Sequence, residues 1–164
     1  MKNTTSLTKI ALRKFKKNFW GVFSLCFLSL CVLVAIFAYA LAPDNSENAN
    51  QMHLSIHSKN PGFSVQMLTI PVKVEEQNPL SVFFFGKKNA DTEIPISNFS
   101  IKENSIEIIE YTPDGTGGLQ KEYLLSLFPD ASSADEISGK YISEKKFLLG
   151  TDKYGRDLLS RMLI

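Results

Sequence analysis

Hydrophobic and polar positions change character several times along this chain. From Phe19 to Ala42 the run FWGVFSLCFLSLCVLVAIFAYALA carries no charged residue. A helix rises about 1.5 Å per residue and a hydrocarbon core of ~30 Å takes about 20 apolar residues, so the pattern predicts a transmembrane helix over residues 19–42. Trp20 and Tyr39 stand near opposite ends, where interfacial aromatics belong. Residues 1–18 are a basic N-terminal segment, and residues 43–60, polar and weakly patterned, read as a linker. From residue 61 the period shortens. FSVQMLTIPVKVEE and ENSIEIIEYTPDG are rich in β-branched residues and predict strands. SVFFFG, bounded by Pro79 and Gly86, predicts a strand buried on both faces, because such strands show continuous apolar runs. Pro71 and Pro95 should then lie at edges or bends. In GLQKEYLLSLFPD, Leu119, Tyr123, Leu124, Leu127 and Phe128 recur at helical spacing, and Pro129 ends the predicted helix. A second short helix is predicted from Ser133 to Ser138. The fold class is a membrane protein: one N-terminal transmembrane α-helix, a small α+β extracytoplasmic domain over residues 61–147, and a short amphipathic helix within residues 148–164.

Charge sets the expected orientation. Lys2, Lys9, Arg13, Lys14, Lys16 and Lys17 precede the apolar run, and no acid does. Lys and Arg are retained on the cytoplasmic side, so the N-terminus should be cytoplasmic and residues after Pro43 outside. The basic segment can also lie against anionic lipid. The alternative, a cleaved signal peptide, has small-x-small patterns at Ala38-Tyr39-Ala40 and Ala40-Leu41-Ala42, but its apolar region would exceed the usual ~7–15 residues. All 17 acidic residues lie after Pro43, against 12 of the 18 basic ones, so the outer part is acidic and argues against nucleic acid as a partner.

Candidate chemistry is sparse. His53 and His57 share an i,i+4 spacing, but no third ligand is near and the glutamate of a HExxH site is absent, so no metal site is predicted. Cys26 and Cys31 both fall in the apolar run and read as small apolar fillers. Gly115-Thr116-Gly117-Gly118 lacks the GK[ST] of a phosphate loop and reads as a surface turn. Asn98-Phe99-Ser100 is a glycosylation acceptor only in a eukaryotic secretory pathway. No nucleophile triad or paired-carboxylate cleft is present, so neither an enzyme nor a cofactor is expected.

The last residues are more specific. In LGTDKYGRDLLSRMLI, Gly150 permits a tight turn, and Thr151 or Asp152 can cap a following helix. Asp157 and Arg161 stand i,i+4 in the favourable order. Leu158, Leu159, Met162 and Leu163 form one apolar stripe. This stretch resembles the signature that leads into the second membrane span of C-type permease subunits of dipeptide, oligopeptide and nickel ABC importers, roughly LGTD-x-x-GRD-x-x-SR. Leu149, Gly150, Thr151, Asp152, Gly155, Arg156, Asp157, Ser160 and Arg161 match it. Where family members often carry His-Pro or a similar pair, this chain has Phe147 and Leu148. The stretch LRKFKKNFWGVFSLCFLSLCVLVAIFAYALAPD is similar to the family's N-terminal region.

The resemblance covers about residues 9–44 and 148–164, and it implies that residues 45–147 are an enlarged first external loop. It also implies that the chain is a fragment, ending where a second span should begin. The whole protein would import peptides or similar solutes across a bacterial inner membrane. Its partners would be the lipid bilayer, a second permease subunit, two ATPase subunits holding the enzymatic activity, and an external solute-binding protein. Within the motif, Gly155 would allow close packing against neighbouring spans. Arg156 and Arg161 would reach headgroups or pair with Asp152 and Asp157. The competing reading is a complete single-pass protein that presents an external binding, scaffold or sensor domain.

Overall fold

A computed structural model describes residues 7–72, 77–88, 91–131 and 133–164. Lys2 and the last part of the predicted strand FSVQMLTIPVKVEE lie outside them. The chain divides into two units, one ending at Phe37 and the other spanning Ala38–Ile164.

The first unit holds two helices, α1 (Leu7–Lys17) and α2 (Phe19–Ile36). Asn18 separates them and caps α2, its side chain accepting a hydrogen bond from the Gly21 amide at 3.3 Å. None of the α2 residues is buried within the protein. Its hydroxyls are satisfied inside the helix: Ser24 donates to the Trp20 carbonyl at 2.7 Å and Ser29 to that of Leu25 at 2.8 Å, as a low-dielectric surrounding requires. The regular helix stops at Ile36, earlier than the apolar run does. Ala38–Leu41 form a separate short helix, α3, in the second unit, where Ala38 and Ala42 are buried.

The second unit is built on an antiparallel sheet of five strands, β1 (Phe63–Ile70), β2 (Thr92–Lys102), β3 (Ser105–Glu110), β4 (Gln120–Leu124) and β5 (Ile142–Phe147), in the order β4-β3-β2-β1-β5. Side chains alternate across a strand. Thus Leu68 joins Ile96, Ile106, Ile108, Phe128 and Ile137 on one face, while Val65 and Met67 join Ile56 and Phe147 on the other. Helix α5 (Ala134–Tyr141) lays Ile137 on the first cluster. The excursion of the chain that carries the sheet is closed at its base, where the Gly62 amide donates to the Phe147 carbonyl at 2.9 Å.

Several expectations are corrected. The Phe83–Phe85 run is helical, within α4 (Pro79–Phe85), not a buried strand. Asn78 caps it, accepting from the Leu80 amide at 3.0 Å, Pro79 opens it, and Gly86 at φ +78° ends it. These start and stop signals outrank the apolar run. The predicted helix in GLQKEYLLSLFPD is instead β4 followed by a 3-10 turn at Leu125–Leu127. Pairing with β3 decides it, with Tyr123 opposite Ile106 and Lys121 opposite Ile108. Gly118, just before β4, has no room for a side chain, because a Cβ would stand 1.9 Å from the Glu110 carbonyl oxygen. Pro95 lies inside β2, opposite Met67, just before the register shift between Ile96 and Asn98. Finally, residues 43–60 are packed rather than a loose linker. Asp44, Ser46, Ala49, His53 and Ile56 are buried, and 3-10 turns occupy Glu47–Ala49 and Leu54–Ile56.

Candidate functional site

The signature residues fold back onto the segment that comes after the apolar helix. The chain after β5 turns at Gly150, whose φ of +78° is left-handed and favours glycine. A Cβ there would meet the Lys59 carbonyl oxygen at 2.1 Å. Thr151 comes next and is buried. Its Oγ1 donates to the Ile56 carbonyl at 2.5 Å and accepts from the Lys59 amide at 2.9 Å, while its own amide donates to the Lys59 carbonyl at 3.1 Å. One residue thereby satisfies three backbone groups of an irregular segment that has no sheet to pair with.

Asp152 organises the next turn. Its Oδ1 accepts from the amides of Tyr154 (2.8 Å) and Arg156 (3.0 Å), and its Oδ2 from Arg156 Nε (2.8 Å), with Arg156 Nη2 at 2.7 Å. Partial burial raises its pKa, but the Arg156 hydrogen bonds and charge and the two amides outweigh this and hold it below the usual 3.8. Arg156 extends further to Asn50 Oδ1 at 3.0 Å. Gly155, at φ +74°, passes so close to the neighbouring segment that a Cβ would lie 1.8 Å from the His53 carbonyl oxygen. The His53 amide donates to the Tyr154 carbonyl at 3.1 Å, and the Ser58 amide to that of Asp152 at 2.9 Å.

Helix α6 (Leu158–Leu163) closes the arrangement. Its cap is Asp157, not Thr151 or Asp152: the Asp157 carboxylate accepts from the Ser160 amide at 2.8 Å and from the Ser160 hydroxyl. Ser160, fully buried, accepts in turn from the Asp44 amide at 2.9 Å. Arg161 does not pair with Asp157 but donates to the Asn48 carbonyl at 3.1 Å. Of the nine motif residues, eight therefore take part in this polar clamp or its turns, and Leu149 stands exposed beside it.

Of the other half of the clamp, sequence reasoning weighed His53 alone as a candidate, and then as a metal ligand rather than a packing residue. Asp44, Asn48, Asn50, His53, Ile56 and Lys59 sit in what read as linker. The available signal was its density of Asp, Asn and Ser, side chains that bond nearby backbone in irregular structure. Asp44 does so, accepting from the Ser46 and Gln51 amides at 3.0 and 3.4 Å. The segment is tied to the sheet by His53, whose Nε2 lies 3.7 Å from Glu93 Oε2, a carboxylate also bound by Lys145 at 2.5 Å. Burial raises the pKa of Glu93, but the His53 contact and the Lys145 charge prevail and set it below its ordinary 4.5. His57 is exposed and does not join this group.

Residues 6–61, about a third of the chain, match the family of the N-terminal TM domain of oligopeptide transport permease C. The match supports a permease-like N-terminus, and with the apolar helix α2 it supports a membrane location. It ends at Pro61, so it contains the whole segment onto which the signature residues fold. No curated protein and no solved structure matches the chain. The arrangement is one of binding and fastening. Among the described residues, no group of three or more His, Cys, Asp or Glu side chains could hold a metal ion.

Proposed function

We propose that this polypeptide supplies the first membrane span and first external segment of a permease subunit in an ATP-driven importer of peptides or similar solutes. The match over residues 6–61 carries this reading. In it α2 crosses a bacterial inner membrane, the basic α1 is cytoplasmic, and residues after Pro43 are external. A second permease subunit, two ATPase subunits and an external solute-binding protein complete the machine, and the ATPases do the chemistry.

The clamp gives eight of the nine motif residues a role in this reading. They hold the segment that follows the first span and the approach to the next stretch of chain in one polar knot, so the sheet can be inserted between them. Residues 62–147 are then an enlarged external loop whose ends already meet at Gly62 and Phe147. It contacts the solute-binding protein or shields the external mouth.

The test is a tagged copy of the protein in the bacterium that carries its gene. Purification should recover an ATPase subunit and a second permease, and loss of the gene should reduce uptake of labelled peptide. Arg156→Ala, which frees both Asp152 and Asn50, should lower assembly and uptake. Unchanged uptake in both strains, with no ATPase recovered, refutes the proposal. Deleting residues 63–146, which spares both halves of the clamp, distinguishes the two roles of the sheet. Intact capture of the binding protein eliminates the first.

A second reading is a single-pass protein presenting an external binding, scaffold or sensor domain. The separate cores on the two sheet faces favour it, and the same purification, recovering neither subunit, would establish it over the first.

A further inference from the structure

Helix α4 carries three apolar side chains that stand exposed. Leu80, Phe84 and Phe85 are 69, 53 and 63% exposed. The rest of the helix is held firmly. Pro79, Val82 and Phe83 line a cleft with Tyr39 and Ala40 of α3. Gly86 passes so close to the Tyr39 ring that a Cβ would stand 2.6 Å from it. The Lys87 amide donates to the Asn45 carbonyl at 2.8 Å, and the Glu47 amide to the Lys87 carbonyl at 3.2 Å. Across the base of the loop, the Gln77 side chain bonds both backbone groups of Lys88, at 2.7 and 3.1 Å. The apolar tip is thus presented on a clipped polar base.

Its position along the chain identifies what it meets. Helix α3 starts at Ala38, bonded directly to Phe37, the C-terminal cap of α2. Successive Cα atoms are about 3.8 Å apart, so α3 begins where the apolar run gives way to Pro43 and Asp44. Whatever the angle at that link, a helix fastened to α3 stays within about one helix diameter, ~10 Å, of the level at which the span ends. At that level, amphipathic elements bury an apolar face about 5–10 Å into the headgroup and acyl boundary. A cluster of two Phe and one Leu, rimmed by Gln77, Asn78, Lys87 and Lys88, has the composition for it.

We propose that α4 is a membrane-surface contact, in which Leu80, Phe84 and Phe85 enter the leaflet from which the span emerges, with phospholipid as the partner. This rests on α2 crossing the bilayer. Its effect is to fix the height and tilt of the sheet domain above the membrane.

The test uses the full chain in phosphatidylethanolamine–phosphatidylglycerol vesicles, with a fraction of the lipid brominated high on the acyl chain. Trp20 is the chain's one tryptophan, so its quenching in the unaltered protein reports insertion of the span. Phe84→Trp in a Trp20→Phe background then reports α4, with Phe85→Trp as a second variant and circular dichroism confirming the fold of each. The expected result is blue-shifted emission from the indole at position 84 and loss of intensity with brominated lipid. Water-like, unquenched emission there, with Trp20 quenched, overturns the proposal and leaves the span intact. Blue-shifted but unquenched emission shows that protein covers the helix and overturns it as well. If Trp20 itself is unquenched, the membrane-spanning reading fails, and the proposal with it.

Discussion

Gly155 offers the sharpest test of the clamp. Substituting Ala adds one methyl group at a residue with φ of +74°, and that methyl group would lie 1.8 Å from the His53 carbonyl oxygen and 2.5 Å from its carbon. The left-handed conformation costs a β-carbon-bearing residue roughly 1–2 kcal/mol. The overlap is with backbone, which has no rotamer by which to escape, and relieving such overpacking costs about 1–3 kcal/mol more. Gly155→Ala should therefore lose about 2–5 kcal/mol. Gly62 is the internal control. Its φ is +83°, yet nothing lies within 4 Å of a Cβ placed there, so Gly62→Ala should lose only the conformational part. For a domain of this size, 1 kcal/mol corresponds to roughly 3–5 °C in Tm. Thermal melts of both variants in detergent, followed by circular dichroism, should separate them by several degrees. Hydrogen exchange should locate the extra loss at the amides of His53, Ser58 and Lys59, which bond across the clamp. Equal Tm losses in the two variants would refute the claim that close approach, rather than backbone strain alone, requires glycine at 155.

Thr151→Val keeps the shape of the side chain but removes the hydroxyl shared by the Ile56 carbonyl and the Lys59 amide. Two backbone groups left unsatisfied at about 1–3 kcal/mol each should cost about 2–6 kcal/mol in all, measured by urea titration. Stability should also fall in acid. Glu93 has a depressed pKa in the folded state, so its contribution is complete above its ordinary 4.5 and is lost as pH falls through the depressed value. Asp152 acts with the same sign, from its ordinary 3.8. Glu93→Gln should lower stability at neutral pH and flatten the acid slope. A slope identical to that of the unaltered protein would show that the carboxylate is not coupled to His53 and Lys145.

The parts legible in the sequence were those governed by local pattern over a long enough stretch. An uncharged apolar run reads as a helix long enough to cross a bilayer, because bilayer thickness sets the length of the run as a whole, and α2 is such a helix. The strand Ser105–Glu110 reads correctly because Ile106 and Ile108 alternate with polar residues at a period that only a sheet face can use. Short elements were less legible. In Pro79–Phe85 the caps Asn78 and Gly86 decide for helix, although the apolar run is equally compatible with a strand. In Gln120–Leu124 the helical spacing of leucines lost to pairing with β3, which offers hydrogen bonds that an isolated turn of helix cannot match.

The nine motif residues were visible by type and spacing, but not what they hold. Asp152, Gly155, Arg156 and Ser160 carry meaning only beside His53, Asn50 and Asp44, residues about a hundred positions earlier in the chain. By itself, then, the sequence determined an apolar helix long enough to cross a membrane, the acidic character of the chain beyond Pro43, and a glycine-containing signature. Tertiary structure alone decided that the polar stretch after the span is one half of a clamp and the signature is the other. The physical reason is that irregular backbone must satisfy its buried N–H and C=O groups somewhere, and the partners that do so here are brought near by the sheet folded between them.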